Sequence, residues 1–451
     1  MRDLVFIAYL LVLFGLGFRR PFIFVLAYIY VDIVSPQRLT YLLLNSVPIS
    51  LIAAALAFGG WLLADRKDGV RLAPRQLLIL VLMLYCWCTT KTADFPLDAA
   101  DKWDWVWKGL AFSIFLPFAA RTRLRIEALL LFVVLAVSSI VIVGGIKTLA
   151  SGGGYGELNL MVSNNSGLYE GSIISTVAIA IIPFIWWFSQ HGTVFPPDWR
   201  VKGFCAALTF ACLLIPVGTS ARTGLLCIGL LAVLMIREVR KRARYVVLLV
   251  VAGLVAVPVL PSSYTDRMST IQTYQADSSA STRIAVWQWT LDYVADHPFG
   301  GGFDAYRQNQ IRYYTVARVT EGTGTRIVQK LQVDQARAYH SSYFEMLGEQ
   351  GYAGLALWLC IMLIGLVRME VLRQRYRRDP EQRWIAPLAA ALQHALLIYL
   401  LGGAFVGIAF QPFLWTLIGA QVALDGWCAR NRAKIVAQPI GRRPRLTPAA
   451  A

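Results

Sequence analysis

Charge is scarce in this chain. Of its 451 residues 15% are charged and 57% hydrophobic. A soluble chain carries about one-quarter charged residues, so a water-soluble globular fold is excluded. Histidine is scarcer still, with four in all: His191, His297, His340 and His394. The seven cysteines lie in or beside apolar runs and the long polar stretch has none, so neither a disulfide framework nor a zinc site is expected. There is no D-x-D to hold a metal and a sugar nucleotide, no Walker A loop, no dinucleotide fingerprint and no G-x-S-x-G elbow. "SGGGYG" (151–156) has the glycines of a fingerprint without the strand–turn–helix context.

What the chain has is apolar sequence in runs. Mean hydropathy is +0.55. Since about 20 apolar residues span a bilayer as a helix, the runs make this an all-α polytopic membrane protein of about 12–13 spans. The first run, "LVFIAYLLVLFGLGF", lacks the basic start and cleavage site of a secretory signal and is expected to stay. The short loops "DRKDGVRLAPR", "RTRLR", "REVRKRAR" and "RMEVLRQRYRRDPEQR" are basic, which marks the cytoplasmic side. The loops that alternate with them are poorer in positive charge. The one long polar insertion, 262–351, carries eight basic residues against nine acidic ones and belongs outside. The expected organisation is therefore 1–261 N-terminal membrane helices, 262–351 a periplasmic loop with amphipathic helices, 352–427 C-terminal membrane helices, and 428–451 a basic cytoplasmic tail. The net charge of +17 thus reads as membrane orientation, not as a nucleic-acid surface.

The rare ionisable groups collect on the outside. "AYHSSYFEMLGEQGYAG" (338–354) runs from a polar segment into an apolar one. Ser342 and Glu345 have the S-x-x-E spacing of a capping box, and Glu349 falls on the same helix face; both acids read as structural. His340 precedes the helix start. That positive end favours anions and disfavours imidazolium, so a neutral His340 is a candidate general base. Taken alone it would be an ordinary surface histidine. In "GTSARTGLL", Arg222 falls in the first turn of an apolar helix behind a Ser220 cap, either snorkelling or clamping an anion. In "SSASTRIAVWQWTLDYVADHPFGGG", Arg283 opens a helix whose Ile284, Trp287, Leu291 and Val294 form one stripe, suited to the outer membrane surface. His297, in the break that follows, reads as structural, and His191 and His394 are badly placed for outside chemistry.

These features resemble the O-antigen ligase superfamily. The marks are an Arg after a T/S-rich turn ("GTSARTG"), an Arg in a loop helix ("STRIAVW"), "HPFGGGF", and a His before the re-entering helix ("HSSYFEMLGEQGYAG"), where Ser341 replaces the usual Asn. "MRDL", "RRPFI", "SPQRLT", "GGGYG" and "SNNSGL" resemble the exosortase-associated branch. The resemblance implies a GT-C-like, inverting glycosyltransferase of the bacterial inner membrane. Its donor would be an undecaprenyl-diphosphate-linked glycan, and its acceptor a hydroxyl of lipid A–core or of protein Ser/Thr. It implies His340 as base, Arg222 and Arg283 on the diphosphate, and no metal or other cofactor. A surface-polysaccharide polymerase is the alternative within the enzyme class; a polysaccharide or lipid transporter, or a scaffold, lies outside it. A transporter would place ionisable groups deep in the bundle and usually show a repeat, and here they cluster at one face.

Overall fold

A computed structural model describes residues 2–40, 47–67, 71–151, 168–239, 241–247, 278–321 and 324–437. Ten helices lead: α1 Arg2–Arg19, α2 Phe22–Val34, α3 Pro36–Leu39, α4 Ile49–Ala64, α5 Pro74–Lys91, α6 Pro96–Ala119, α7 Arg123–Ser151, α8 Gly171–His191, α9 Trp199–Gly218 and α10 Arg222–Glu238. There follow α11 Ser278–Asp296, strands β1 Gln310–Glu321 and β2 Gly324–Gln335, α12 Ser342–Tyr376, α13 Ile385–Gly403 and α14 Pro412–Ala437. Among the described residues five helices, α7, α8, α9, α12 and α13, are long and apolar enough to cross a membrane, and α2 and α4 are shorter apolar helices. The protein is an all-α polytopic membrane protein. The end of the expected N-terminal membrane segment, 248–261, and the "GGGYG" and "SNNSGL" stretches fall largely or wholly outside the described residues.

The core runs through the bundle. Every residue of α8 from Ile173 to Ile185 is buried, as a helix apolar all round requires. The junctions separate into two ends. At one, the Arg125 guanidinium meets the Asp65 carboxylate with Nη2–Oδ1 at 2.7 Å, Arg368 meets Asp425 at 2.6 and 2.9 Å, and Arg237 meets Glu370 at 2.7 Å. At the other end lie the starts of α6, α8 and α12 and the turn between α13 and α14.

The polar insertion is more than helix. β1 and β2 pair antiparallel from Gln310↔Gln335 to Glu321↔Gly324, a hairpin the reading of amphipathic helices did not foresee. α11 turns its Thr/Val face inward. Thr282, Val286, Thr290 and Val294 are buried, while Ile284 and Leu291 are about half exposed. The helix packs on α12 through Tyr293, Val294 and Leu347 and leaves Ile284 and Leu291 facing outward.

α12 is two helices in one. Gly351 has φ 62° and ψ −168°, a break only glycine adopts readily. The H-P-F-G-G-G loop is laid into that break. Gly301 N–H donates to Gly348 O at 3.0 Å, Gly302 N–H to Glu349 O at 2.9 Å, and Tyr352 N–H to Pro298 O at 3.0 Å. The carbonyls orphaned by the kink are thereby satisfied. Gly300 and Gly302, both with φ 78°, are needed because a Cβ there would strike the Glu349–Gly351 backbone and Ala93.

Candidate functional site

A cavity of about 360 Å³ opens at the end of the bundle away from the arginine–carboxylate pairs. Its lining is drawn from the start of α6, Glu170 ahead of α8, the 304–307 turn, 338–349 and the α13–α14 turn. His340 is part of that lining.

Three anchors fix the backbone around His340. Buried Asn309 pairs with the Arg337 backbone, its Nδ2 donating to O at 2.7 Å and its Oδ1 accepting from N at 2.9 Å. Trp287 of α11 donates Nε1–H to Tyr339 O at 2.8 Å and stacks on Phe344 at 4.9 Å. Ser342 Oγ donates to Val406 O at 3.0 Å and accepts from Ile408 N at 2.9 Å, tying the α12 start to the α13–α14 turn. Between these anchors His340 is held at φ 47°, a left-handed conformation unusual for a side chain with a Cβ.

That conformation divides the charge. The groups acting on His340 are burial first, then Arg283 and Arg337, and all three lower its pKa below the ordinary 6.5. The groups acting on its neighbour Tyr339 are burial first, then Glu349, Tyr293, Glu345 and Asp304, and its pKa stands well above 10. Consecutive side chains thus meet fields of opposite sign. Arg283 reaches His340 because it lies one turn before Trp287, the residue hydrogen-bonded to the adjoining carbonyl.

The acidic side is built around Lys102 of α6. Its ammonium donates to Glu345 Oε1 at 2.8 Å and to both Glu349 oxygens at 2.8 and 3.0 Å, with Asp304 Oδ1 at 3.9 Å. Glu345 Oε2 accepts from Ala409 N at 3.1 Å, and Glu349 Oε1 accepts from Asp304 N at 3.1 Å. Burial pushes the Asp304 carboxyl up, against the pull of Lys102 and Arg307. Arg307 pairs with Asp98 at 3.0 Å.

Several local expectations are corrected here. Glu345 closes no capping box: the N-cap is Ser341, with no side-chain cap bond, and Glu345 is held by Lys102 instead. Glu349 is fully buried. Ser220 does not cap α10, whose N-cap is Ala221. Arg283 lies in the second turn of α11, which starts at Ser278. Of the three residues singled out from sequence, His340 and Arg283 come together, and Arg222 is not among the charges acting on His340. Arg222 begins α10, after a turn in which Thr219 hydrogen-bonds Ser175 at 2.9 Å and packs on Gly171, next to the cavity residue Glu170. His297 stacks on Tyr293 at 4.4 Å, is exposed, and is not in the lining. Lys102 and Arg337 went unnoticed in the sequence. Their signals were a lysine among the aspartates that precede an apolar stretch of α6 and an arginine three residues before the histidine.

A polar, histidine-bearing cavity thus lies at one end of a polytopic bundle. Residues 206–359 match the family O-Antigen ligase, and residues 1–193 match a family of unknown function (DUF5935). The segment 206–359 thereby belongs to the O-antigen ligase superfamily, a class of membrane glycan ligases and polymerases. No curated protein matches the chain. The matched O-antigen ligase segment contains Arg222, Arg283, Arg337 and His340.

Proposed function

We propose that this protein is an O-antigen-ligase-type glycosyltransferase that moves a glycan from undecaprenyl diphosphate to an acceptor hydroxyl, on the periplasmic face of the inner membrane. The supporting observation is His340, half-buried within the field of Arg283 and Arg337, lining a cavity at the head of the apolar helices within the O-antigen ligase segment. A histidine with a lowered pKa is neutral near pH 7 and free to accept a proton. Guanidinium groups match a diphosphate and stabilise the charge that develops as it leaves.

In the proposed step the acceptor oxygen bonds to the anomeric carbon while the bond from that carbon to the phosphate oxygen breaks. The acceptor proton goes to His340, and the electron pair leaves with undecaprenyl diphosphate. Attack from the face opposite the leaving group inverts the anomeric centre. Arg283 holds the diphosphate, and Arg222, entering from the α8 side, holds it too or the lipid-proximal phosphate. The basic junctions at the far end of the bundle fit the cytoplasmic side, which leaves the cavity facing the periplasm. Lipid A–core and protein Ser/Thr are the favoured acceptors.

The test is transfer by the purified protein from an undecaprenyl-diphosphate glycan to lipid A–core, to a Ser/Thr-rich peptide, and to a second donor molecule, run in parallel. Product with either of the first two supports ligation; product with the third alone makes the chain a polymerase. No product with any of the three, from protein shown to bind donor, refutes glycosyl transfer.

A further inference from the structure

The cavity is more acidic than a diphosphate site needs to be. Asp98, Asp101, Glu170, Asp304, Glu345 and Glu349 line it, against Lys102 and Arg307. Lys102 occupies the middle of three of these carboxylates, and Arg307 pairs with a fourth. The wall therefore remains net negative, and a phosphate placed against it would be repelled. The arginines acting on His340, which lie outside that lining, are the groups suited to phosphate.

Two further observations concern what meets the acidic side. The Tyr339 hydroxyl is buried without a hydrogen-bond partner, beside Glu345 and Glu349, against Gly348, where a Cβ would clash with it. A buried hydroxyl left unpartnered is costly unless something else bonds it. The half-buried rings of Trp105 and Tyr306 also line the cavity. Flat aromatic faces beside carboxylate acceptors suit one ligand chemistry: a sugar ring, with C–H faces to lay on the rings and hydroxyls to donate to the carboxylates. A volume of about 360 Å³ falls within the range of small-ligand sites.

We propose that the acidic wall is the acceptor subsite, that it takes a sugar rather than a peptide hydroxyl, and that it selects an uncharged or amine-bearing ring over one carrying a carboxylate or phosphate. This rests on the glycosyl-transfer reading and narrows it. The diphosphate lies with Arg283, the acceptor ring lies against Asp101, Asp304 and Trp105, and His340 stands between them to take the proton of the attacking hydroxyl.

The experiment uses three matched probes, the methyl glycosides of glucose, glucosamine and glucuronic acid, with the full-length protein in detergent. Each is measured for transfer from the lipid-linked donor and, separately, for binding without donor by ligand-observed NMR. The glucuronide should be used worse than the glucoside by roughly 10–10²-fold in kcat/KM, since a like charge is repelled by a partly buried acidic wall. Asp304→Asn, whose backbone at φ 59° an asparagine tolerates, should narrow that gap about tenfold. Exposed Asp101→Asn, which leaves the Lys102 network untouched, should narrow it in the same direction even if Asp304→Asn folds badly. Equal use of the three probes by the wild type overturns the acceptor assignment while glycosyl transfer stands. A charge gap that neither variant alters overturns it also. Charge-selective binding with no transfer to any probe keeps the sugar site and overturns the glycosyl-transfer reading.

Discussion

The two ends of the bundle treat charge in opposite ways. At the arginine-rich end guanidinium is in excess: Arg368 pairs with Asp425, Arg125 with Asp65, and Glu370 with both Arg237 and Arg373. Such pairs contribute about 0–1 kcal/mol each, so their use is orientation and solubility. At the cavity end a single lysine, its side chain 12% exposed, is shared by three carboxylates. Removing charged groups from water is expensive, and an unbalanced cluster persists only where the surroundings hold it in place. Here the surroundings are the Gly351 break, the glycine loop laid into it and the turn at 406–411. Abundant charge marks a side of the membrane, whereas scarce, crowded and buried charge marks a site.

The contrast can be broken by mutation. The largest effect belongs to His340→Ala, which should bind lipid-linked donor normally and lose roughly 10²–10⁴ in single-turnover transfer. His297→Ala should keep most activity, because His297 stacks on Tyr293 outside the cavity lining. Sensitivity of His297 instead would move the site.

Next is Lys102→Met, which leaves Glu345, Glu349 and Asp304 facing one another without a cation. It should cost about 3–5 kcal/mol, read as a large fall in Tm in detergent. Arg237→Ala, whose side chain is 45% exposed, should cost no more than about 1 kcal/mol in the same measurement. Equal losses would erase the distinction between the two ends.

Smaller again is Arg283→Ala, expected to lower turnover about 10²-fold and to weaken donor binding as well, since a phosphate clamp acts in ground and transition states alike. Arg283→Lys should recover only part of this, because an ammonium lacks the bidentate fork. Unchanged donor affinity in Arg283→Ala would remove Arg283 from the diphosphate.

Much of this was legible in one dimension. His340 could be read because its signal is local, a histidine followed by hydroxyls and a helix start. The bundle could be read because apolar runs of span length leave few other folds. Lys102 could not, since its partners Glu345 and Glu349 lie 243 and 247 residues away in sequence. Nothing near "DAADKWDW" says which carboxylates it will meet. The buried face of α11 could not be read for a different reason: Ile284, Val286, Trp287, Trp289, Leu291, Tyr293 and Val294 crowd every side, so periodicity does not select one. The hairpin did carry a signal, Tyr-, Val- and Thr-rich runs either side of "EGTG", which the amphipathic helix just before it overshadowed.

The pH dependence of single-turnover transfer tests most directly that His340 is the base held neutral by its arginine side. A base must be unprotonated to act, so the rate should be flat above the pKa of His340 and fall as pH drops through it. Burial, Arg283 and Arg337 all lower that pKa, which puts the acid limb below 6.5 in the wild type. Arg337→Gln removes one positive neighbour and should move the limb upward, toward 6.5. The limb should vanish from the residual activity of His340→Ala. A wild-type limb at or above 6.5, unmoved by Arg337→Gln and still present in His340→Ala, would contradict this assignment of the base.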